Sequence, residues 1–420
     1  MNARIHRSEP VGTVKVPTSK SYTIRAALCA AMAPGYSLIR QPLESDDTGA
    51  AFACLEALGA TVTRSDDSVE IQGGTLHSPA GPLWCNESAA TMRFLMALAA
   101  AIPGTTVLQC APSLARRPMS QLCEALSQLG AECHVDRSDG TVTVHGVLPH
   151  RASVTLPGDL SSQYVSALLL SGPLYPEGME VTLETPLVSS RYVDMTLSCM
   201  KAFGVEVDVI GTHHSYLVPA GGYIAANYEV EGDWSAAAPF LALGGACGAV
   251  GVLGLRPQSL QADVLMLTLL KEYGASVTRD LDFVHVKRST HCPFEVDISE
   301  AIDLLPVAMV LGATARGTTT IRGVARARDK ESDRVAAMTD GLRKMGVELD
   351  IREDSLTLEG GAAHGAVVSS YGDHRIAMAF GVLGAVVGDA TVLDAECVGK
   401  TYPGFWRDMQ RLGVQVDYDE

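Results

Sequence analysis

One phrase recurs along this chain: a helical run, a glycine, then a short alternating stretch. It reads CLEALGATV, ALSQLGAECHV, CMKAFGVEVDV, LLKEYGASV, GLRKMGVEL and DMQRLGVQVDY. Its glycines are Gly59, Gly130, Gly204, Gly274, Gly346 and Gly413, spaced by 71, 74, 70, 72 and 67 residues. So even a period marks an internal repeat. In each copy an amphipathic helix ends at a glycine, the residue best suited to a left-handed C-cap. A short strand such as Ala60-Thr61-Val62 or Val205-Glu206-Val207 follows. The unit length leaves room for two helices. One unit alone exposes its apolar faces, so units must pack together. Six units of this size predict an α/β protein of two globular halves, three units each. The boundary is expected near VEGDWSAAAPF, at Val230 to Asp233, the midpoint of the repeat count.

The chain has 420 residues, enough for two domains and a sizeable core. Acidic residues outnumber basic ones 48 to 32, for a net charge of −16. That balance argues against nucleic acid and anionic membrane as partners but permits a local basic cleft. Ten cysteines are too few for a disulfide scaffold, and none is spaced C-x-x-C. Reduced, mostly buried cysteines, no metal site and a cytoplasmic address are the expectations. The N-terminus MNARIHRSEP has no apolar leader-like core.

Several segments bring hydroxyls and cations to helix starts. In VPTSKSYTIRAALCAAM, Thr18 or Ser19 is a good N-cap, and Lys20 and Ser21 fall in the first turn. Free N–H groups, the helix dipole, a hydroxyl and an ammonium together suit a phosphate or carboxylate. Arg25 shares a face with Ser21. NESAATMRFLMALAA opens another helix and carries Arg93. LARRPMSQLCEAL places Arg116 and Arg117 before Pro118, which fits a first helical turn. GDLSSQYVSALLL puts Ser161, Ser162 and Gln163 at a helix start, and LVSSRYVDMTL does the same for Ser189 and Ser190. If the helices run parallel, these ends converge on one anion cleft.

The second half adds acids. Asp303 opens the apolar run AIDLLPVAMVLGATA, where partial burial is expected to make it a base. ARARDKESDRVAAM holds Arg326, Lys330, Glu331 and Arg334, with Lys330 and Arg334 four apart and able to reach one anion. Asp373, His374 and Arg375 precede another apolar helix, and Lys400 lies in a glycine-rich approach to the last one.

Taken in order, TSKSYTIR, NESAATMR, RRPM, SSQY, LVSSRY, DKESDR, DHRIAM and GKTYPGF cover essentially the whole chain. The ordered set resembles the enolpyruvylshikimate-phosphate synthase family. The resemblance implies two similar domains, each of three βαβαββ repeats in an inside-out, barrel-like arrangement, with the active site in the interdomain cleft. It implies one domain at 21–230 and a second combining 1–20 with 231–420, joined by a two-strand hinge. It implies transfer of the enolpyruvyl group of phosphoenolpyruvate to shikimate-3-phosphate without a cofactor, by a monomer. Lys20, Ser21, Arg25, Ser161, Ser162, Gln163, Ser189, Asp303, Arg326 and Lys330 correspond to the shikimate-3-phosphate ligands. Lys20, Ala89, Arg117, Gln163, Arg334, Arg375 and Lys400 correspond to the phosphoenolpyruvate site. Asp303, Glu331 and Lys20 are the expected catalytic groups.

The sequence departs from the family at a few places. Glu87 stands where many relatives have asparagine, and Ala89 where they have glycine. The Ala89 methyl is expected to crowd the longer inhibitor glyphosate more than phosphoenolpyruvate, an effect of roughly 1–3 kcal/mol. Arg326 stands in place of an asparagine. Two rivals remain: the enolpyruvyl transferase acting on UDP-N-acetylglucosamine, and a non-catalytic anion-binding repeat scaffold. The first typically has asparagine where this chain has Ser21, and a loop cysteine where it reads APSLARRPM. The second has no need of Asp303, Glu331 and Lys400 together.

Overall fold

The structure, a computed structural model, describes residues 1–148 and 152–419. Its helices in chain order are α1 (Lys20–Met32), α2 (Asp46–Ala57), α3 (Ala89–Ala100), α4 (Pro112–Ala115), α5 (Ser120–Gln128), α6 (Ser162–Ser171) and α7 (Ser190–Ala202). They continue with α8 (Trp234–Cys247), α9 (Met266–Tyr273), α10 (Leu305–Thr314), α11 (Arg334–Lys344), α12 (His374–Val387) and α13 (Phe405–Arg411). The chain divides into two compact units, Thr18–Val230 and Met1–Pro17 with Glu231–Glu420.

The repeat read from the glycines is physical. All six take a left-handed φ, between 82° and 109°. The residue after each glycine donates its N–H back to the helix carbonyl five residues earlier. The pairs are Ala60–Leu55, Ala131–Leu126, Val205–Met200, Ala275–Leu270, Val347–Leu342 and Val414–Met409. This closure needs a positive φ at the penultimate position, which is why glycine recurs there. It also shifts the strands from where the sequence suggests them. The first starts at Thr61, because Ala60 is spent closing the helix, and the third starts only at Asp208, beyond the closing residue Val205 and two further residues.

Among the described residues there are six four-stranded sheets, three in each unit. Each has the same pairing: one parallel pair, then two antiparallel neighbours. In the second repeat the order is Leu83–Trp84, Gly104–Gln109, Thr141–Gly146, Glu132–Asp136. The buried helix α3 crosses between the parallel strands, and α5 leads to the edge strand. This is a βαβαββ unit. Three sheets borrow a strand from elsewhere in the sequence. Asn227–Glu229 joins Gly35–Arg40, Val11–Lys15 joins Ala249–Leu253, and Asn2–Ile5 completes the last sheet beside Ala390–Leu393 and Val416–Asp419.

The first helix of each repeat is largely apolar and lies inside. In one unit α8, α10 and α12 pack on one another, with nearly every residue buried. In the other, α1, α3 and α6 fill that place. A helix without a polar face is stable only when surrounded, so sheets and outer helices wrap around it.

One expectation fails. Cys123 on α5 and Cys133 on the strand Glu132–Asp136 form a disulfide with Cα atoms 5.3 Å apart. The Gly130 closure turns the strand back along the helix and brings the two together. The remaining cysteines are free and mostly buried.

Candidate active site

In the unit Thr18–Val230 the groups of interest gather at helix starts. Ser19 caps α1, accepting from the Tyr22 N–H, and leaves Lys20 in the first turn. Lys20 Nζ lies 2.8 Å from Asp47 Oδ2, at the start of α2, and Asp47 is almost wholly buried. Ser88 caps α3 and Ser161 caps α6. Ala89 is therefore the first residue of α3, and it is buried. Ser162 is buried in the first turn of α6, and Ser189 is held in a left-handed conformation just before α7.

Two arginines hold these starts in place. Arg25, 2% exposed, donates from Nε to Thr196 Oγ1 at 2.7 Å and from Nη2 to the Tyr192 carbonyl. Its Nη1 reaches the Ser21 carbonyl at 3.0 Å, and its guanidinium lies over the Phe94 ring. Arg93 donates to Gln163 Oε1 at 2.7 Å and to the Pro118 carbonyl at 3.0 Å, and it stacks on Tyr164. Arg93 thus aligns Gln163 and the segment behind Arg117. Arg117 lies three residues ahead of α5, which starts at Ser120 and leaves Pro118 outside the helix. The Arg117 Nε is buried with no partner among the described residues.

In the other unit the site is a network of charges around Arg334. This residue is fully buried and meets three acids. Its Nε lies 2.8 Å from Asp373 Oδ2, its Nη1 2.7 Å from Asp303 Oδ1 and its Nη2 2.7 Å from Glu331 Oε2. Arg375 Nη2 is 2.9 Å from Asp303 Oδ2, and Lys330 Nζ is 4.0 Å from Asp303 Oδ1. The anion that Lys330 and Arg334 share is thus the protein's own carboxylate. Asp373 also caps α12 through the Arg375 backbone N–H, so one carboxylate holds the Arg334 guanidinium and the helix start that carries Arg375. Lys400 is buried at the end of the turn Ala395–Lys400, and Arg326 donates to the Ser299 carbonyl.

Asp303 sits in a short 3-10 turn ahead of α10, not within that helix. Burial works to raise its pKa, but Arg375, Lys330 and Arg334 outweigh that and hold the carboxyl well below the usual range. Burial likewise opposes the charge of Arg334, and Asp373, Glu331 and Asp303 outweigh it. The expectation of a raised, base-ready Asp303 is therefore reversed in the resting protein. Sequence reasoning gave no role to Asp47, Arg93 or Asp373. Their partners lie 27, 70 and 39 residues away, so no local pattern announces them.

The comparisons with known proteins agree with this architecture. Over 99% of this chain, and 100% of the other, the fold matches the EPSP synthase from Acinetobacter baumannii with a TM-score of 0.84 and 27% identity. The 3-phosphoshikimate 1-carboxyvinyltransferase of Dehalococcoides mccartyi is 43% identical, with both chains fully covered. That of Methanocorpusculum labreanum is 39% identical over 99% of each chain. The family model described as EPSP synthase (3-phosphoshikimate 1-carboxyvinyltransferase) matches residues 6–409. The chain belongs to this family of transferases.

Proposed function

We propose that the protein transfers the enolpyruvyl group of phosphoenolpyruvate to the 5-hydroxyl of shikimate-3-phosphate and releases inorganic phosphate. The observation that carries this is the Arg334 network: a buried guanidinium presenting one carboxylate, Asp303, flanked by two further cations. A static anion-binding scaffold has no use for a buried acid among the cations that would attract its ligand.

The reaction is an addition followed by an elimination. The hydroxyl oxygen attacks C2 of phosphoenolpyruvate while C3 gains a proton, forming a tetrahedral phospho-ketal. Loss of phosphate and of one proton from C3 then leaves an enol ether. Asp303 takes the hydroxyl proton, and Glu331, Lys330 and Lys20 serve proton traffic and charge balance. In the resting protein Asp303 is too weak a base for this. When the anionic groups of phosphoenolpyruvate engage Arg375, less of its field falls on Asp303, and its proton affinity rises. Substrate binding thereby switches on the base.

Lys20, Ser21, Ser161, Ser162, Gln163 and Ser189, with Arg326, hold shikimate-3-phosphate. The uncharged serine caps leave the positive helix ends available to its phosphate. Arg25 serves by anchoring α1 to α7. Arg117, Arg334, Arg375, Lys400 and Gln163 bind phosphoenolpyruvate, with Ala89 against it. Two polyanions held together repel, and fixed cations offset that cost.

The test is phosphate release from phosphoenolpyruvate with shikimate-3-phosphate, against the same assay with UDP-N-acetylglucosamine. Release only with the shikimate ester is expected. Release only with the nucleotide sugar, or with neither, overturns the proposal.

A further inference from the structure

The Arg334 network has an acidic neighbour that the reaction above does not use. Asp263 lies in the 3-10 turn Ala262–Leu265, just before α9, and is 1% exposed. Its Oδ2 accepts from the Ser235 hydroxyl at the start of α8. Its Oδ1 is enclosed with no hydrogen-bond partner among the described residues. No ion pair to it occurs among those residues either.

A buried carboxylate with one neutral donor and an unmet oxygen is costly, whereas the neutral acid is far less so. The surrounding charges act in the same direction. Asp303 from the turn before α10 and Asp233 from the cap of α8 repel a charge at Asp263, while Arg375 of α12 attracts it. Burial dominates, and the Asp263 carboxyl is pushed up to about 7. Asp303, in the same field, is pushed the other way. Paired acids driven apart by their surroundings are the usual arrangement where one must stay neutral and the other charged.

We propose that Asp263 is a proton-holding positioning residue of the active site: it stays neutral while Asp303 is charged, and when ionised it competes with the anionic substrate for Arg375. The neutral form leaves the Arg375 guanidinium divided between Asp303 and the incoming anion. The ionised form adds a second negative charge to the same pocket. It weakens phosphoenolpyruvate binding and strengthens the hold on Arg375. Phosphate monoesters have lost their second proton by this range, so the substrates themselves contribute little to the change.

This proposal rests on the enolpyruvyl-transfer activity, and its test separates the two. The KM for phosphoenolpyruvate is measured from pH 6 to 9 in wild type and Asp263→Asn. In wild type it rises about tenfold between pH 7 and 9, the effect of one unit charge acting at close range. In Asp263→Asn the ratio falls to about one. An unchanged ratio in the variant, or a flat wild-type profile, overturns the proposal. Independently of turnover, 13C NMR of aspartate-labelled wild type should show one carboxyl titrating near neutrality. Ser235→Ala should move that midpoint upward, since its hydroxyl bond favours the ionised form. Absence of such a carboxyl refutes the role of Asp263 even if Asp263→Asn fails to fold. A protein that shows it but releases no phosphate at any pH refutes the assigned reaction instead.

Discussion

The two units build the same helix-and-sheet frame but finish their inner helices with opposite chemistry. In Thr18–Val230 the caps are Ser19, Ser88 and Ser161. In the other unit Asp233 and Asp373 cap α8 and α12, and α10 begins with a proline in its first turn. A serine cap satisfies an N–H without neutralising the positive helix end, which stays available to an anion. An aspartate cap spends that end internally. In the second unit the cations are instead carried by side chains: Arg334, Arg375 and Lys330 surround Asp303. On the proposed function, this contrast assigns the shikimate phosphate to the serine-capped helix starts and the hydroxyl proton to Asp303.

The largest effect should follow from Asp303→Asn. Removing the base should lower kcat roughly 10²–10⁴-fold, read as phosphate release. Loss of less than tenfold would place the base elsewhere. Next is Asp373→Ala, which leaves Arg334 buried without its main partner. Breaking such a pair costs about 3–5 kcal/mol, seen as a lower denaturant midpoint. A midpoint near wild type would mean the network does not hold the unit together. Reduction of Cys123–Cys133 should remove about 3 kcal/mol by the loop-entropy relation, and two additional thiols should react. Equal thiol counts before and after reduction would refute the link. The smallest change is Ser88→Ala or Ser161→Ala, each about 1 kcal/mol in stability. If either costs as much as Asp373→Ala, the contrast between the units fails.

Acid titration separates two carboxyls within one unit. Asp303 is shifted down, so its ion pairs stabilise the fold above the unfolded-state value of 3.8 and are lost as pH drops below it. Asp263 is shifted up to about 7, so the native state binds the extra proton between roughly pH 4 and 7. Stability attributable to Asp263 thus declines as pH rises through that window. The stability of Asp263→Asn relative to wild type should climb across it, by up to roughly 4 kcal/mol. A pH-independent difference would show that Asp263 is already ionised at pH 4.

The repeat was legible because a Schellman closure leaves a local signature, a glycine after an amphipathic helix. The serine caps and the cations near helix starts were legible for the same reason. The Arg334 network was not. DKESDR looks like a solvated charge run, and only tertiary packing buries Arg334 against Asp373, 39 residues away. The protonation bias of Asp303 also misled, since burial predicts a rise and three distant cations reverse it. The disulfide escaped notice because a spacing of 10 residues carries no motif.

The most direct test of this division of labour is calorimetric titration of shikimate-3-phosphate into Asp303→Asn, paired with its phosphate-release rate. Binding within about tenfold of wild type alongside a loss of at least roughly 100-fold in turnover is expected. Binding lost in step with turnover would show that Asp303 holds the substrate rather than moving its proton, and the account would be wrong.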